Sequence, residues 1–541
     1  MRNISKFIIG IGCLASVSVS MTGCIDETFP TDVATDEQLT SSSKATEALL
    51  WAMPAFLNKY DVLGKDPSAP GYDWGYGSIM HIRDIMTEDM PVVSSNYDHY
   101  SAWEGNYYIG PRYMSTQYIW NYFWKYVQTS NNIIMALNPE TADATQLGYL
   151  GVGYTFRAHA YLDMAQMFEF LENDGTDAVN PSGNNVLNLT VPIVKEDVTE
   201  EAARNNPRVP RQEMFDFILS DLDKAEEYIV NLDRSAKTLP DLSVVYGLKA
   251  RLYMWVADYP KAQEYARKAI DTSGAVPMTE DQWLSTTNGF NDISVSSWLW
   301  GSQMQSEDDV VKTGILNWTS WSSNEAVFGY AAAGPYNMIN VALYNKIADT
   351  DFRKLAWKAP AGSALEGQNT YCGTSGASLP DYASLKFRPA QGNGDVSTTG
   401  AASAYPLMRV EEMYLIEAEA VAHQNATQGR DLLNSFMQTY RDANYRCTAS
   451  SADAVVNEVV LQKRIELWGE GLTFFDVKRL DMSVTRGYSG TNFSDERRFN
   501  TNGRPAWMNI CIVQTEENNN AALIGYENPD PSGVYSPWTG Q

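Results

Sequence analysis

Residues 250–270, ARLYMWVADYPKAQEYARKAI, carry the clearest indication of the architecture. Ala262, Ala266 and Ala269 recur at the spacing of one helix face, where small side chains let a second helix approach closely. Pro260 lies just inside the start of that helix, where its missing N–H is harmless. The stretch therefore predicts a pair of antiparallel helices.

The same helical character continues along much of the chain. Between 211 and 230 the apolar residues follow one another at steps of three and four, which is typical of an amphipathic helix. Further helices are predicted over 38–60, 119–138, 146–170, 243–257, 260–272, 406–423, 426–446 and 455–472. Ala250 to Ile270 resemble the tetratricopeptide pattern, so we expect a mainly α scaffold of stacked helix pairs. An irregular helical domain is the alternative.

The segment 276–405 differs from the rest. It is rich in Gly, Ser, Thr and Asn, and only 337–348 indicates a helix. We expect loops and short strands, inserted into a helical scaffold that occupies about 38–275 and 406–480.

Composition excludes several classes of protein. The 541 residues are 44% hydrophobic and 20% charged, which is a globular balance rather than that of a disordered chain or a fibre. A formal net charge of −26 does not suit nucleic-acid binding, since neutralising phosphates needs a basic surface.

The N-terminus has the pattern of a signal peptide. Arg2 and Lys6 precede a mainly apolar stretch that is short for a membrane span. Residues 21–24, MTGC, resemble a lipobox, so we expect cleavage after residue 23 and a lipid anchor on Cys24. Asp26 and Glu27 resemble the signal that sends some Gram-negative lipoproteins to the cell surface. An ordinary signal peptide is the alternative.

Metal and disulfide frameworks are not expected. Beyond Cys13 and Cys24, the cysteines are Cys372, Cys447 and Cys511, which are far apart and show no CxxC spacing. At most one disulfide could form. We predict no metal site and no cofactor, because Gly392 to Asp395 lack the EF-hand pattern and no dinucleotide or phosphate-binding loop is present.

One carboxylate pair was weighed as a catalytic site. Glu466 and Glu470 are four residues apart and could share a helix face, as paired carboxylates do in glycoside hydrolases. Arg464, Lys478 and Arg479 are near in sequence, and we predict that they neutralise the pair in a structural ion network. The four histidines, His81, His99, His159 and His423, are scattered, so no catalytic residue is predicted.

Tryptophans provide the candidate binding residues. Five of the 15 fall in about a fourteenth of the chain, within the polar insert: Trp283, Trp298, Trp300, Trp318 and Trp321. An indole can stack on the apolar C–H face of a sugar ring, and several in a row suit a polymer. On a strand, Trp298 and Trp300 would share one face. We expect at least two of these rings to lie exposed, although some could instead pin the insert to the helices.

Trp74 is a further candidate, in the glycine-rich stretch GYDWGYG at 71–77. Glycines there could free the backbone and leave the ring exposed. Tyr97 and Trp103 are ranked below it.

A family resemblance emerges from motifs spread along the chain. They are FRAHAY at 156–161, VPIV at 191–194, PRVP at 207–210, DLDKA at 221–225, RVEEMYLIEAEA at 409–420, KRIELWGEG at 463–471 and DVKR at 476–479. In this order the chain resembles the SusD-like (SusD/RagB) family of outer-membrane glycan-binding lipoproteins. Thr473, where the family often has Arg, and the stretch 434–441 depart from its pattern.

The resemblance implies a right-handed superhelix of four tetratricopeptide-like helix pairs, a glycan site in the looped region, and a TonB-dependent outer-membrane transporter as partner. With the residue analysis, it predicts a non-catalytic, surface-exposed lipoprotein that captures a polysaccharide or oligosaccharide. Cleavage would remove two basic residues and no acidic one, giving a charge of −28, which favours a neutral glycan. A β-glucan is the first candidate. A helical glycoside hydrolase and a protein-binding scaffold are the alternatives.

Overall fold

The structure, a computed structural model, describes residues 43–64 and 70–540. The predicted signal peptide, the lipidation site Cys24 and the first residues of the predicted helix 38–60 lie outside these ranges. Among the described residues, no helix combines the length and apolar character needed to cross a bilayer.

Within the same ranges the chain is mainly α-helical. The helices of seven or more residues are α1 (Ser43–Phe56), α2 (Tyr76–Ile85), α3 (Met114–Ala136), α4 (Ala144–Phe168), α5 (Arg211–Tyr228), α6 (Leu242–Trp255), α7 (Tyr259–Ser273), α8 (Val410–Gln424), α9 (Ala426–Tyr440), α10 (Ala452–Glu466) and α11 (Thr473–Arg479). The strands are β1 (Trp298–Gln303) and β2 (Ala404–Arg409). Shorter helices are Ser101–Glu104, Glu200–Ala203, Glu280–Leu284, Asp309–Lys312, Trp318–Ser322, Val341–Tyr344, Ser397–Gly400 and Gln514–Glu517.

The predicted helices are confirmed as α1 and α3 to α10, whereas α2 and α11 were not predicted. The helix expected over 406–423 begins only at Val410, because the preceding residues pair with β1. Of the helix indicated at 337–348, only Val341–Tyr344 forms.

The pair α6 and α7 shows why this sequence folds into stacked helices. Asp258 caps α7 by accepting a hydrogen bond from Lys261 N (3.2 Å), and Gly274 ends the helix in the left-handed conformation (φ 60°). The alanines on its inner face are fully buried, and α7 packs against both α6 and α8. Consecutive helices pack together from α3 to α9, consistent with stacked pairs; the superhelix of four pairs stays a prediction.

The insert shares the core of the helices. Strands β1 and β2 form an antiparallel pair in which both faces are buried, and β2 leads directly into α8. One continuous hydrophobic cluster contains side chains from the helices and from the insert, and a smaller cluster lies between α8, α9 and α10. The insert therefore folds as part of the main body rather than as a loose appendage.

Buried cations connect distant parts of the chain through backbone carbonyls. Lys478 Nζ on α11 donates to Met167 O (3.0 Å), Glu169 O (2.7 Å) and Met508 O (2.8 Å). Burial holds the pKa of this ammonium well below its usual range. Arg486 likewise donates to three carbonyls. Each such side chain joins segments hundreds of residues apart.

Candidate functional site

The expected row of exposed indoles is absent from the described residues, and that prediction was wrong. The six candidates are only 0–3% exposed: Trp74, Trp283, Trp298, Trp300, Trp318 and Trp321. Trp103, a lesser candidate, is buried as well. A ring without a free face cannot stack on a sugar, so these indoles form no binding platform in this structure.

Close packing against other aromatic rings explains why Trp74 is buried. Its ring meets that of Trp318 edge-on, with centroids 6.4 Å apart, and Trp318 stacks on Tyr405 at 4.9 Å. A Cβ at Gly77 would lie 2.7 Å from Trp74 and 2.8 Å from Trp318. This glycine therefore lets two large rings pack together, and does not hold them open to solvent.

Trp298 and Trp300 do lie on a strand, as expected, but inside the protein. The pairing of β1 with β2 is irregular between them, and both faces of β1 are covered. Trp300 packs edge-on against Phe156 and His159 of α4, and its Nε1 donates to Thr238 O (3.0 Å). These tryptophans pin the insert to the helices, which was the alternative weighed above.

The polar composition of the insert is misleading because its polar side chains are themselves buried. Asn324 is 2% exposed and donates to Asn337 O (2.8 Å) and Ser384 O (3.0 Å). Asn317, fully buried, caps the short helix that contains Trp318. Such amides satisfy loop backbone in the interior, so a Ser- and Asn-rich stretch can still fill a core.

Trp300→Phe tests this structural role. We expect the free energy of unfolding to fall by about 1–3 kcal/mol, because the smaller ring leaves a void and the Thr238 carbonyl loses its donor. Urea unfolding followed by circular dichroism measures the change. Glycan binding by the folded variant is expected to match the wild type, and a selective loss of binding would contradict the assignment.

A partly exposed group of aromatic side chains lies elsewhere, with the rings of Tyr97 and Tyr330 inclined at 49° to each other. Tyr97 is 52% exposed, and its ring centroid is 6.2 Å from that of Tyr330, which is half-buried. His99 meets Tyr330 edge-on at 5.1 Å, and the buried Trp321 stacks beneath Tyr330 at 4.5 Å and 22°. We call Tyr97, His99 and Tyr330 the aromatic shelf, and Trp321 is its support.

Two loops hold the shelf in place. The first loop, 94–100, carries Tyr97, and the second loop, 329–335, carries Tyr330. Just before the first loop, Val93 N donates a hydrogen bond to the O of Tyr336, just after the second loop (3.1 Å). This backbone hydrogen bond joins the bases of the two loops. Gly334 has a φ of 141°, a backbone conformation that residues with a side chain rarely adopt, and it lies next to Ser95 of the first loop. The geometry of the pair therefore depends on this glycine.

Buried charges fix the first loop from behind. Asp98 accepts a hydrogen bond from Tyr100 N (3.2 Å) and forms an ion pair with Arg497. Arg497 also pairs with the fully buried Glu104. Because Arg497 and Glu104 are held in the interior, they fix the position of the loop that carries Tyr97.

The rim of the shelf is polar and carries neutral groups together with the acidic Glu496, which shares a hydrogen bond with Ser94. The exposed side chains of Ser94 and Asn96 lie in the first loop. Burial lowers the pKa of His99, against the effect of Asp98, so its imidazole is neutral at pH 7. Burial, with the nearby Tyr97, raises the pKa of Tyr330, which keeps its phenol neutral. Flat apolar faces beside neutral hydroxyl and amide groups suit a neutral ligand.

Sequence analysis found only part of this surface. Tyr97 was named as a lesser candidate, whereas Tyr330 and His99 were not assigned to a site. The signal for Tyr330 was its position in FGYAAAGPY at 328–336, an aromatic among small residues. That pattern indicates a binding residue less clearly than a cluster of tryptophans does. It also does not show which other loop Tyr330 faces.

The pair Glu466 and Glu470 belongs to a buried ion network, as predicted. Glu466 accepts hydrogen bonds from Arg353 (3.1 Å), Arg409 (3.1 Å) and Arg441 (2.7 Å). Glu470 accepts from Arg409, and from Lys386 Nζ at 2.7 Å. Both carboxylates are at most 4% exposed, so neither faces a substrate-sized opening.

The basic partners differ from those expected. Arg464 pairs with Glu88 and Asp89, Lys478 binds the carbonyls described above, and Arg479 pairs with Glu419 and Asp476. Burial alone would raise the pKa of Glu466, but its three arginines outweigh this effect and hold the pKa well below the usual range.

Metal-ligating groups do not converge in the part of the chain that the structure describes. No group of three or more His, Cys, Asp or Glu side chains there could hold an ion. Cys372, Cys447 and Cys511 are free thiols.

Comparison with known proteins agrees with this architecture. Residues 361–537 match the model of the SusD family. No curated protein matches the chain.

Several solved structures share the fold. A SusD-like carbohydrate binding protein from Bacteroides vulgatus has a TM-score of 0.67 and 22% identity, over 88% of this chain and 96% of that chain. A SusD superfamily protein from Bacteroides thetaiotaomicron has a TM-score of 0.66 and 17% identity, over 90% of this chain and 99% of that chain. A laminarin binding SusD-like protein has a TM-score of 0.56 and 16% identity, over 81% of this chain and 91% of that chain.

The family match covers the C-terminal third, and the fold is shared over nearly the whole length. Together with the motifs from 156 to 479, they show that the chain is similar to the SusD-like family in its C-terminal region and shares the fold of SusD-like structures.

Proposed function

We propose that this protein captures a neutral polysaccharide or oligosaccharide at the aromatic shelf and carries out no chemistry on it. The observation that carries the proposal is the pair of accessible rings, Tyr97 and Tyr330, 6.2 Å apart and supported by Trp321. The match of residues 361–537 to the SusD family model supports it, as does the fold shared with structures described as carbohydrate-binding or sugar-binding proteins.

The aromatic shelf would bind the glycan by two kinds of interaction, stacking and hydrogen bonding. The C–H face of a pyranose ring would lie on the phenol faces, each contact contributing about 1 kcal/mol. Hydroxyls of the sugar would bind the exposed Tyr97 phenol and the Asn96 carboxamide. Separate rings on one surface favour a chain with repeated units over a single sugar.

A neutral glycan fits the charges better than an anionic one. Asp98 lies in the first loop and Glu496 is bonded to Ser94, while Arg497 is already paired with Asp98 and Glu104. A net charge of −26 adds long-range repulsion of anions. A β-glucan is the first candidate, and the laminarin-binding structural relative makes laminarin the first probe.

We propose further that the mature chain is anchored by lipid at Cys24 on the outer surface of the outer membrane and delivers its glycan to a TonB-dependent transporter. The lipobox-like MTGC at 21–24 and the association of the family with the outer membrane support this. Metabolic labelling with a radioactive fatty acid, compared between the wild type and Cys24→Ala, tests the anchor.

Native affinity electrophoresis tests glycan capture. The purified chain is run through gels that contain laminarin, barley β-glucan, xylan, starch or mannan. We expect retardation in at least one β-glucan gel. Absence of retardation on every glycan would contradict the proposal and favour a protein-binding scaffold, the second alternative.

Incubation with the same polysaccharides separates capture from hydrolysis. The ion network around Glu466 leaves that pair no access to substrate, so we expect no increase in reducing ends. Release of sugars would instead favour a helical glycoside hydrolase.

Binding is expected to be independent of pH between about pH 7 and about pH 8.5. The pKa of His99 is lowered and that of Tyr330 is raised, so neither group changes charge in this interval. Repeating the affinity gels at both ends of the interval measures this. A marked loss of retardation at the higher pH would show that an ionised group takes part.

A further inference from the structure

One tryptophan does have an exposed ring, and sequence analysis gave it no role. Of the 15 tryptophans, all within the described residues, only Trp51 is classed as exposed, at 37%. It lies on α1, where Leu50 and Met53 are buried against the core, as is Leu57 directly after the helix. The ring is therefore not needed to hold the helix in place.

Trp51 lines an open groove with a volume of about 860 Å³. Trp51, Pro54 and Ala55 follow the spacing i, i+3, i+4 on one face of α1, and Asn58 lies in the turn directly after the helix, so these four residues form one part of the lining. The rest of the lining comes from residues within 236–238, 287–293, 303–308 and 390–391, and from Ala402.

The lining is rich in the side chains that bind sugar hydroxyls. Asn58 Nδ2 donates a hydrogen bond to the backbone carbonyl oxygen of Gln303 (3.1 Å), which fixes the Asn58 carboxamide. Within the described residues, the carboxamides of Asn288, Gln305 and Gln391 have no protein hydrogen bond and line the groove. These carboxamides are free to bind ligand hydroxyls.

Charge and backbone conformation add to this picture. The charged groups of the lining are Lys237, Asp292 and Asp308, which sum to one negative charge and disfavour an anion. Gln391 has a φ of 56°, in the left-handed region that a residue with a side chain seldom adopts. A strained residue in a groove is a common feature of binding sites.

From these observations we infer that the Trp51 groove is a second saccharide-binding site, for a neutral oligosaccharide or a segment of the same glycan chain. Trp51 would stack on a sugar ring while Asn288, Gln305 and Gln391 bind its hydroxyls. The inference rests on the proposed function for the class of ligand, but it uses none of the residues of the aromatic shelf.

Oxidation of Trp51 gives a direct test on the mature chain. Limiting N-bromosuccinimide is expected to oxidise Trp51 before the buried indoles, as mapped by mass spectrometry of peptides. Laminarin should slow oxidation at Trp51 at least threefold, and should not protect the half-buried Trp538. The protection should persist in a chain that carries Tyr97→Ala and Tyr330→Leu. Equal oxidation with and without laminarin, or a Trp51 that does not react, would overturn the inference.

Affinity gels provide a second measurement. Trp51→Ala is expected to weaken laminarin binding about three- to tenfold, the effect of losing one stacked ring, and Asn288→Ala to weaken it less. Tyr526→Ala, which removes an exposed ring outside the groove, is the matched control. If neither groove variant differs from this control, the groove is not a site.

The two proposals fail in different ways. Retardation that depends on Tyr97 and Tyr330 but not on Trp51 contradicts the second site alone. Retardation that depends only on Trp51 contradicts the shelf and supports the groove. A wild-type chain that no glycan of the panel retards contradicts both.

Discussion

A chain carrying Tyr97→Ala and Tyr330→Leu is expected to bind its glycan about 30-fold more weakly than the wild type. Each lost stacking contact costs about 1 kcal/mol, and two together about 2 kcal/mol. Leucine is chosen at 330 because it still covers Trp321 but offers no flat face. Affinity electrophoresis over a series of laminarin concentrations measures the change.

Controls separate loss of the shelf from loss of the fold. Tyr526→Ala removes another exposed tyrosine and should bind like the wild type. Thermal unfolding of the double variant should lie close to that of the wild type, because Tyr97 is exposed and Trp321 stays covered. Unchanged retardation in a folded double variant would show that the glycan binds elsewhere, with the Trp51 groove as the next place to look.

Glu466→Gln is expected to have the largest effect on stability. The substitution removes the charge that three buried arginines share: Arg353, Arg409 and Arg441. Removing one partner of a buried ion network leaves uncompensated charge, which costs about 3–5 kcal/mol. Urea unfolding followed by circular dichroism measures the free energy of unfolding. A loss under about 1 kcal/mol would show that water or relaxation replaces the carboxylate.

Glu264→Gln is the matched control at the surface. Glu264 pairs with Lys261 and Lys268 on α7, and all three side chains are well exposed. Solvent screens such pairs, so we expect a change below about 1 kcal/mol. The difference between the two changes in the free energy of unfolding measures how much burial increases the contribution of an ion pair to stability.

The same network gives stability a defined dependence on pH. The pKa of Glu466 is lower in the folded chain than its unfolded value of about 4.3. Its contribution is therefore complete above that pH and is lost as the pH falls toward the folded pKa. The wild type should lose stability between about pH 4.5 and about pH 2 more steeply than Glu466→Gln. Equal slopes would contradict this assignment.

The helices could be predicted because local periodicity determines them. The stripe in α5 and the alanine face of α7 both appear in the structure as buried faces. In contrast, α2 follows a glycine-rich turn and is buried on every side, so it shows no amphipathic pattern. Likewise β2 was merged with α8, because a strand buried on both faces has no alternation to separate it from a helix.

The candidate site could be predicted only as a class of surface. Aromatic side chains were expected to bind a sugar, yet composition does not reveal which rings are covered by distant parts of the chain. Trp300 is covered by α4 and Trp318 by β2, and both contacts are long-range. Trp51 lies in a predicted helix and was given no role, although its side chain is exposed in the structure.

Lys478 indicates how the chain must fold as a cooperative unit. Its ammonium is held by carbonyls at Met167 and Glu169, which precede the region 361–537 that matches the family model, as does β1, the partner of β2. A fragment limited to that region would keep a buried cation without two of its three acceptors, and a strand with an open edge. The region that matches the family model is therefore not expected to fold by itself, and limited proteolysis should leave either the whole body or small peptides.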